Sequence, residues 1–111
     1  MLTLPSSVRV FFATEPCDMR KQMNGLAILV QQGMERDARS GDLFVFRNRR
    51  GDMLRALFCD AHGFCLLSKR LDRGTFRVKF DEAMAAKCAV EMTAAELGQL
   101  MTELHCQPGK G

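Results

Sequence analysis

The chain has 111 residues, a length typical of one domain, and a net charge of +3. Its 47% hydrophobic residues argue against a disordered chain, and no apolar run approaches the roughly 20 residues of a membrane span. No signal-peptide segment opens the sequence, and the five cysteines include no CxxC pair, which favours reduced thiols. We therefore expect a cytoplasmic protein with one domain over residues 1–111, its core over residues 8–105 and a frayed tail over 107–111.

Positive charge is concentrated in one segment of the chain. Residues 47–79 contain nine basic and three acidic residues and carry +6, so the remaining residues together carry −3. Such an asymmetry predicts a polyanion or an acidic protein as the partner.

A strand and then a helix are predicted first along the chain. Residues 8–12 are mostly β-branched and aromatic and predict a strand. Asp18 is a candidate N-cap for a helix that ends near residue 33, and Gly25 inside that helix indicates close packing. Arg20 and Lys21 would lie in its first turn. They are either a solvated pair or, with the helix N-terminus, a receptor for a phosphate or a carboxylate.

Four extended runs follow, at residues 43–47, 53–59, 64–70 and 75–80. The short turns between them join only antiparallel neighbours, so the pattern predicts a four-stranded antiparallel β-meander. The second run is apolar on both faces apart from Arg55, so we expect both faces of the sheet to be covered. The cover could be a helix on each face, or a protein contact such as a homodimer.

The C-terminal part of the chain predicts a second helix. Residues 83–90 fit a short helix or a loop, whereas Thr93 and Glu96 have the spacing of a capping box. Apolar residues follow at helical spacing, at Leu97, Leu100, Met101 and Leu104. The predicted fold class is α+β, with an N-terminal strand and helix, the four-stranded meander and a C-terminal helix.

Two groups of residues could suggest metal chemistry. Asp42, Asp52, Asp60 and Asp72 could bind catalytic metals, but each lies near a glycine at a predicted turn, where aspartate is common for its local hydrogen bonds. Cys59, His62 and Cys65 are zinc-type ligands without the tight pairing of structural zinc sites. We expect no metal, no cofactor and no catalytic residue, because no convergent catalytic set is visible.

The densest basic cluster is formed by Arg49, Arg50, Lys69, Arg70 and Arg73. A solvated sheet face would explain these charges, but their concentration in one segment favours contacts with phosphates. The sequence contains no helix-turn-helix, zinc finger or RNP-type strand.

Several motifs occur together in a fixed order. They are Asp18-Met19-Arg20-Lys21, Gly25-Leu26-Ala27, Leu43-Phe44-Val45-Phe46, Asn48-Arg49-Arg50-Gly51-Asp52, Asp60-x-x-Gly63-x-x-Leu66, and Lys69-Arg70-Leu71-Asp72-Arg73-Gly74-x-Phe76. In this order they resemble the TnpB-type protein encoded by the second reading frame of insertion sequences of the sixty-six family. The resemblance implies a partner role in transposition, in which a separate, larger transposase carries the catalytic acids.

The predicted function is therefore that of a non-catalytic accessory protein that assists a transposase through a DNA-contacting basic surface. The candidate nucleic-acid-binding residues are Arg20, Lys21, Arg49, Arg50, Lys69, Arg70 and Arg73. The alternatives are a protein–protein adaptor whose basic strip meets acidic patches of the transposase without DNA contact, and a small enzyme.

Overall fold

The computed structural model of the protein describes residues 8–102, 104 and 105. The strands are β1 (Val10–Ala13), β2 (Leu43–Arg47), β3 (Met53–Asp60), β4 (Gly63–Arg70), β5 (Thr75–Phe76), β6 (Ala89–Met92) and β7 (Leu104–His105). The helices are α1 (Met23–Ile28), which continues as a π-helical turn over Leu29–Gly33, α2 (Glu82–Ala85) and α3 (Ala94–Thr102). The fold class is α+β, as predicted.

The main sheet has five strands in the order β4-β3-β2-β1-β6. Strands β2, β3 and β4 form an antiparallel meander, whereas β1 pairs in parallel with β2 and antiparallel with β6. The predicted four-stranded meander is therefore wrong in its last strand. Of residues 75–80, only β5 pairs, and its partner is β7, outside the main sheet.

Two backbone hydrogen bonds explain why the chain leaves the sheet after β4. The N–H of Leu71 donates to the carbonyl of Asp52 at 2.8 Å, and the N–H of Phe76 donates to the carbonyl of Gly51 at 2.8 Å. The chain is thereby tied to the β2–β3 turn and runs onto one face of the sheet. There Phe76, Val78 and Phe80 pack into the core, as alternate residues of a strand would. Only Thr75 and Phe76 of this segment form strand hydrogen bonds, however.

Each face of the main sheet is covered by the chain itself. On one face, Leu26 and Val30 of the first helical segment pack against Phe44 and Leu57. On the other face, Leu97 of α3 and the segment after β5 pack against Phe12, Val45 and Leu54. The covered second face that the sequence predicts is thus provided by α3, and the sheet faces leave no need for a dimer contact.

Helix α1 begins later than the sequence predicts. Its N-cap is Gln22, and Asp18 instead forms a turn in which its carboxylate accepts a hydrogen bond from the N–H of Arg20 at 2.9 Å. Arg20 and Lys21 therefore precede the helix, and their predicted place in its first turn is wrong. Gly25 does not mark close packing, because an added Cβ would meet the side chain of Lys21 at 3.4 Å or more.

The C-terminal elements follow the predicted capping chemistry. The Thr93 hydroxyl accepts from the N–H of Glu96 at 3.0 Å, and the Glu96 carboxylate accepts from the N–H of Thr93 at 2.9 Å. The ambiguous segment before it contains both α2, capped by Asp81, and the strand β6. The predicted frayed tail, residues 107–111, lies outside the described residues.

Candidate nucleic-acid interface

One end of the main sheet collects most of the candidate binding residues. Strands β1, β2 and β4 run in the same direction, and β3 runs in the opposite direction. The last residues of β1, β2 and β4 therefore lie at the same end of the sheet as the first residues of β3. The segment after β1 is tied to this end, since the N–H of Cys17 donates to the carbonyl of Arg47 at 2.9 Å. We call the surface formed here by residues 16–21, 47–53 and 69–75 the basic end of the sheet.

The β2–β3 turn presents two arginines to solvent. Asn48 fixes the turn, because its Oδ1 accepts from the N–H of Gly51 at 2.9 Å and from that of Met53 at 3.1 Å, while its amide donates to Asp52. Gly51 supplies the positive φ of 80° that the turn requires. The exposed side chains of Arg49 and Arg50 make no hydrogen bond or ion pair with any residue of the described part, so their charges are available to a ligand.

Strand β4 and the loop after it bring three more cations to the same end. Arg70 pairs in register with Met53, and Lys69 with Leu54, so the two side chains leave opposite faces of the sheet. The ammonium of Lys69 lies 3.5 Å from the carbonyl oxygen of Met101 in α3. Arg73 is exposed in the loop that is hydrogen-bonded to the β2–β3 turn.

Arg20 and Lys21 lie in the segment between β1 and α1. The Arg20 guanidinium forms a two-point pair with Asp18, at 3.0 Å from Nε to Oδ1 and 2.8 Å from Nη2 to Oδ2. This pairing lowers the pKa of the Asp18 carboxyl to about 2, mainly through the side-chain hydrogen bond from Arg20. The carbonyl of Lys21 accepts from Nη1 of Arg55 at 2.9 Å, which attaches the segment to β3. Thus Lys21 keeps its charge unpaired within the described residues, whereas that of Arg20 is partly neutralised.

An open groove of about 490 Å³ crosses the basic end. One wall is the segment Pro16, Cys17, Asp18 and Met19, and the other carries Asn48, Arg49, Arg50 and Arg70. Three arginines and one aspartate therefore surround a concave surface. The guanidinium geometry suits phosphate oxygens, because each group offers a planar set of N–H donors with a permanent charge.

The sequence did not reveal the wall formed by residues 16–19. Its position depends on the parallel pairing of β1 with β2, a contact between strands about thirty residues apart for which no local pattern exists. A signal for its local shape was present, however. Aspartate two residues before an N–H donor is the spacing of an Asx-turn, which Asp18 and Arg20 adopt.

Arg47 is the one cation of the β2 end that turns inward. Its Nη2 donates to the carbonyl of Thr14 at 2.9 Å, and its guanidinium lies 6.0 Å from the ring centre of Phe80. Burial lowers the pKa of this guanidinium below its usual value. Arg47 therefore joins β2 to the segment after β1 and is less accessible to a ligand than Arg49 or Arg50.

The four predicted turn aspartates lie at two different ends of the sheet. Asp52 is at the basic end, while Asp60 is at the far end, where its carboxylate accepts from the N–H groups of His62 and Gly63 at 2.8 and 3.0 Å. Asp42, also at the far end, accepts a local hydrogen bond from the hydroxyl of Ser40 at 3.1 Å and a distant one from the N–H of Arg9 at 3.2 Å. Asp72 lies in the loop beside Asp52. Local hydrogen bonds therefore account for three of the four carboxylates.

The predicted zinc-type residues do not converge. In the β3–β4 register Cys59 is opposite Phe64 and Cys65 is opposite Phe58, so the two thiols start from opposite faces of the hairpin. Within the described residues there is no group of three or more metal-binding side chains. In the same part of the chain, no helix is long and apolar enough to cross a membrane.

Comparisons with known proteins agree with the motif order along the chain. The family model described as IS66 Orf2 like protein matches residues 8–110. The uncharacterized protein y4hO of Sinorhizobium fredii is 38% identical over 102 residues, which cover 92% of this chain and 85% of that protein. The uncharacterized protein y4jC of the same organism is 44% identical over 69 residues, 62% of this chain and 59% of that protein. No solved structure matches. This chain belongs to the IS66 Orf2-like family, whose members have an accessory role in transposition.

Proposed function

We propose that this protein is a non-catalytic accessory protein that assists a separate transposase, and that the basic end of its sheet contacts DNA phosphates. The family supports the transposition role. The observation that carries the DNA contact is the clustering of Arg49, Arg50 and Arg70 around one groove. Within the described residues none of the three makes a hydrogen bond or a close ion pair. The pKa of the Asp52 carboxyl is, however, lowered by its hydrogen bond from Asn48 and then by the charges of Arg50 and Arg70.

The arrangement favours backbone contact over base reading. The cations are on a turn, a strand end and a loop, and α3 covers a sheet face instead of projecting from the surface. Entry into a major groove commonly uses a projecting helix or a two-stranded ribbon. Binding is therefore expected to depend on phosphate charge, with little preference for sequence and a steep decrease with salt.

The first experiment measures the affinity for a duplex containing an element end, and for an unrelated duplex, as a function of salt concentration. The test variant is Arg49→Gln/Arg50→Gln. The matched control, Arg36→Gln/Arg39→Gln, removes the same charge away from the basic end, from residues whose guanidiniums lie 4.0 Å and 4.7 Å from the ring centres of Phe11 and Phe64. Loss of two phosphate contacts should reduce the slope of log K against log salt by about 2 in the test variant.

Three outcomes would contradict a DNA contact through the basic end. No binding at low salt, even with the transposase present, would exclude it. Loss of transposase binding without any change in DNA binding would favour the adaptor function, in which the same cations meet acidic patches of the transposase. Equal losses in the test and control variants would show that net charge, and not the basic end, determines affinity.

A further inference from the structure

The outer edge of β4 is an unpaired sheet edge in the described part of the chain. The strand order places β4 at one end of the sheet, where it pairs with β3 along its eight residues. Its last four residues are exposed, and Leu67 keeps 45% of its surface accessible, high for a leucine in a strand. A long edge with an exposed apolar side chain is a template for pairing with another strand.

The two edges of the sheet differ in how they are protected. Strand β6, at the other edge, has four residues, and its Glu91 is engaged in a two-point ion pair with Arg9 at 2.7 Å. On β4 the charges lie at the end of the strand, at Lys69 and Arg70, and the middle of the strand has none. Lysine at an edge commonly prevents pairing, but at one end of a strand it also fixes which register is allowed.

We propose that the outer edge of β4 pairs antiparallel with β4 of a second copy of this chain, about a twofold axis at Leu67. A twofold axis perpendicular to the sheet leaves each side chain on the same face in both copies. Because side chains alternate between the faces along a strand, an odd-numbered residue must lie opposite an odd-numbered one, and an even-numbered residue opposite an even-numbered one. With Leu67 opposite its own copy, the exposed leucines cover each other. Lys69 then lies opposite Cys65 of the second copy.

In this register, which the exposed Leu67 selects, the charges also complement each other. The carboxylate of Asp60 lies on the same face of the sheet as Cys65 and Lys69, and its Oδ2 is 3.5 Å from the Sγ of Cys65. The ammonium of Lys69, which lies 3.5 Å from the Met101 carbonyl in the single chain, would turn from that carbonyl toward Asp60 of the other copy. The two clusters of Lys69 and Arg70 lie on opposite sides of the axis. A parallel pairing would place these like charges side by side, which is unfavourable.

The dimer would present two basic ends pointing in opposite directions. With Leu67 on the axis, Arg70 of each copy lies three residues from it, so the two Arg70 residues are six residue steps, about 20 Å, apart along the strands. The grooves extend from Arg70 toward the β2–β3 turn, on the side away from the axis. Each basic end could then hold its own duplex, and one dimer could hold two DNA segments together. This bridging rests on the proposed DNA contact, whereas the pairing of β4 does not.

The first test needs no DNA. Sedimentation velocity of the full chain over a wide concentration range should show a monomer–dimer equilibrium. Leu67→Lys places two like charges across the axis and should weaken dimerisation by at least about tenfold. Ile28→Lys is the matched control, because Ile28 is 50% exposed on α1 and the substitution adds the same charge. The control should dimerise as the natural sequence does, and thermal unfolding should show that both variants are folded.

The second test measures capture of a labelled duplex by an immobilised one through the protein, with the same two variants. Leu67→Lys should lose capture while retaining binding to a single duplex. A protein that stays monomeric, or a dimer that Leu67→Lys leaves unchanged, would overturn the proposal, as would a Leu67→Lys defect confined to transposase binding. A Leu67-dependent dimer that binds no DNA would keep the pairing and reject the DNA contact of the proposed function.

Discussion

The turn that carries Arg49 and Arg50 depends on a single amide side chain, and its removal tests the account of the basic end most directly. Asn48→Ala removes the two hydrogen bonds that Oδ1 accepts from the N–H groups of Gly51 and Met53. Each such bond contributes about 1 kcal/mol, so the free energy of unfolding should decrease by about 2 kcal/mol. Urea unfolding followed by circular dichroism measures this difference.

The control for this variant is Asp52→Asn. It removes the carboxylate that the Asn48 amide contacts but leaves both backbone hydrogen bonds of Asn48, so its loss of stability should be clearly smaller. Asn48→Ala should also weaken DNA binding, because Arg49 and Arg50 would no longer be held by an ordered turn. A change in unfolding free energy below about 0.5 kcal/mol for Asn48→Ala, the range of ordinary surface substitutions, would refute the role assigned to this side chain.

Four further predictions concern the helix, the β2–β3 turn, the core and the charge pair. Gly25→Ala should raise the free energy of unfolding by up to about 1 kcal/mol in urea titrations, since the added methyl has room, whereas Gly51→Ala should lower it because of the positive φ. Leu57→Ala should lower the free energy of unfolding by about 2–5 kcal/mol in the same titrations, because the Leu57 side chain is fully buried. A smaller decrease would mean that this part of the core is not closely packed. The pKa of Asp18 is lowered from its ordinary value of 3.8 to about 2. The stability that the ionised carboxylate contributes to the folded state is therefore fully present above pH 3.8 and is lost as the pH falls toward about 2. Asp18→Asn should therefore show a flatter dependence of stability on pH in that window, and identical pH profiles would contradict the pairing with Arg20.

Local patterns in the sequence were sufficient for three strands of the predicted meander, β2, β3 and β4, and for the capping box. The observed β2 has the predicted bounds of residues 43–47, because turn residues delimit it on both sides. The reciprocal hydrogen bonds of Thr93 and Glu96 follow from residue types three positions apart. In both cases the decisive contacts are close in sequence.

The errors arose where distant contacts decide the structure. Residues 75–80 alternate like a strand and bury Phe76, Val78 and Phe80, but hydrogen bonds from Leu71 and Phe76 to the β2–β3 turn lead them away from the sheet edge. Asp18 has the residue type of an N-cap, yet its carboxylate binds Arg20 before the helix starts. The sequence predicted most of the basic residues of the basic end. It did not predict the groove between them, because one wall of the groove is positioned by the parallel pairing of β1 with β2.

The position of β1 between β2 and β6 has a consequence for how the protein folds. The β2–β3–β4 meander closes through short turns and can form early, whereas the β1–β6 ladder joins Val10 to Met92 and requires closure of nearly the whole chain. We expect substitutions at Leu57 in the meander to slow folding, and substitutions at Val90 in β6 to accelerate unfolding instead. Before β6 has paired with β1, the backbone N–H and C=O groups on that edge of β1 have no strand partner. A chain shortened before residue 89 would keep that edge exposed and would be prone to aggregation.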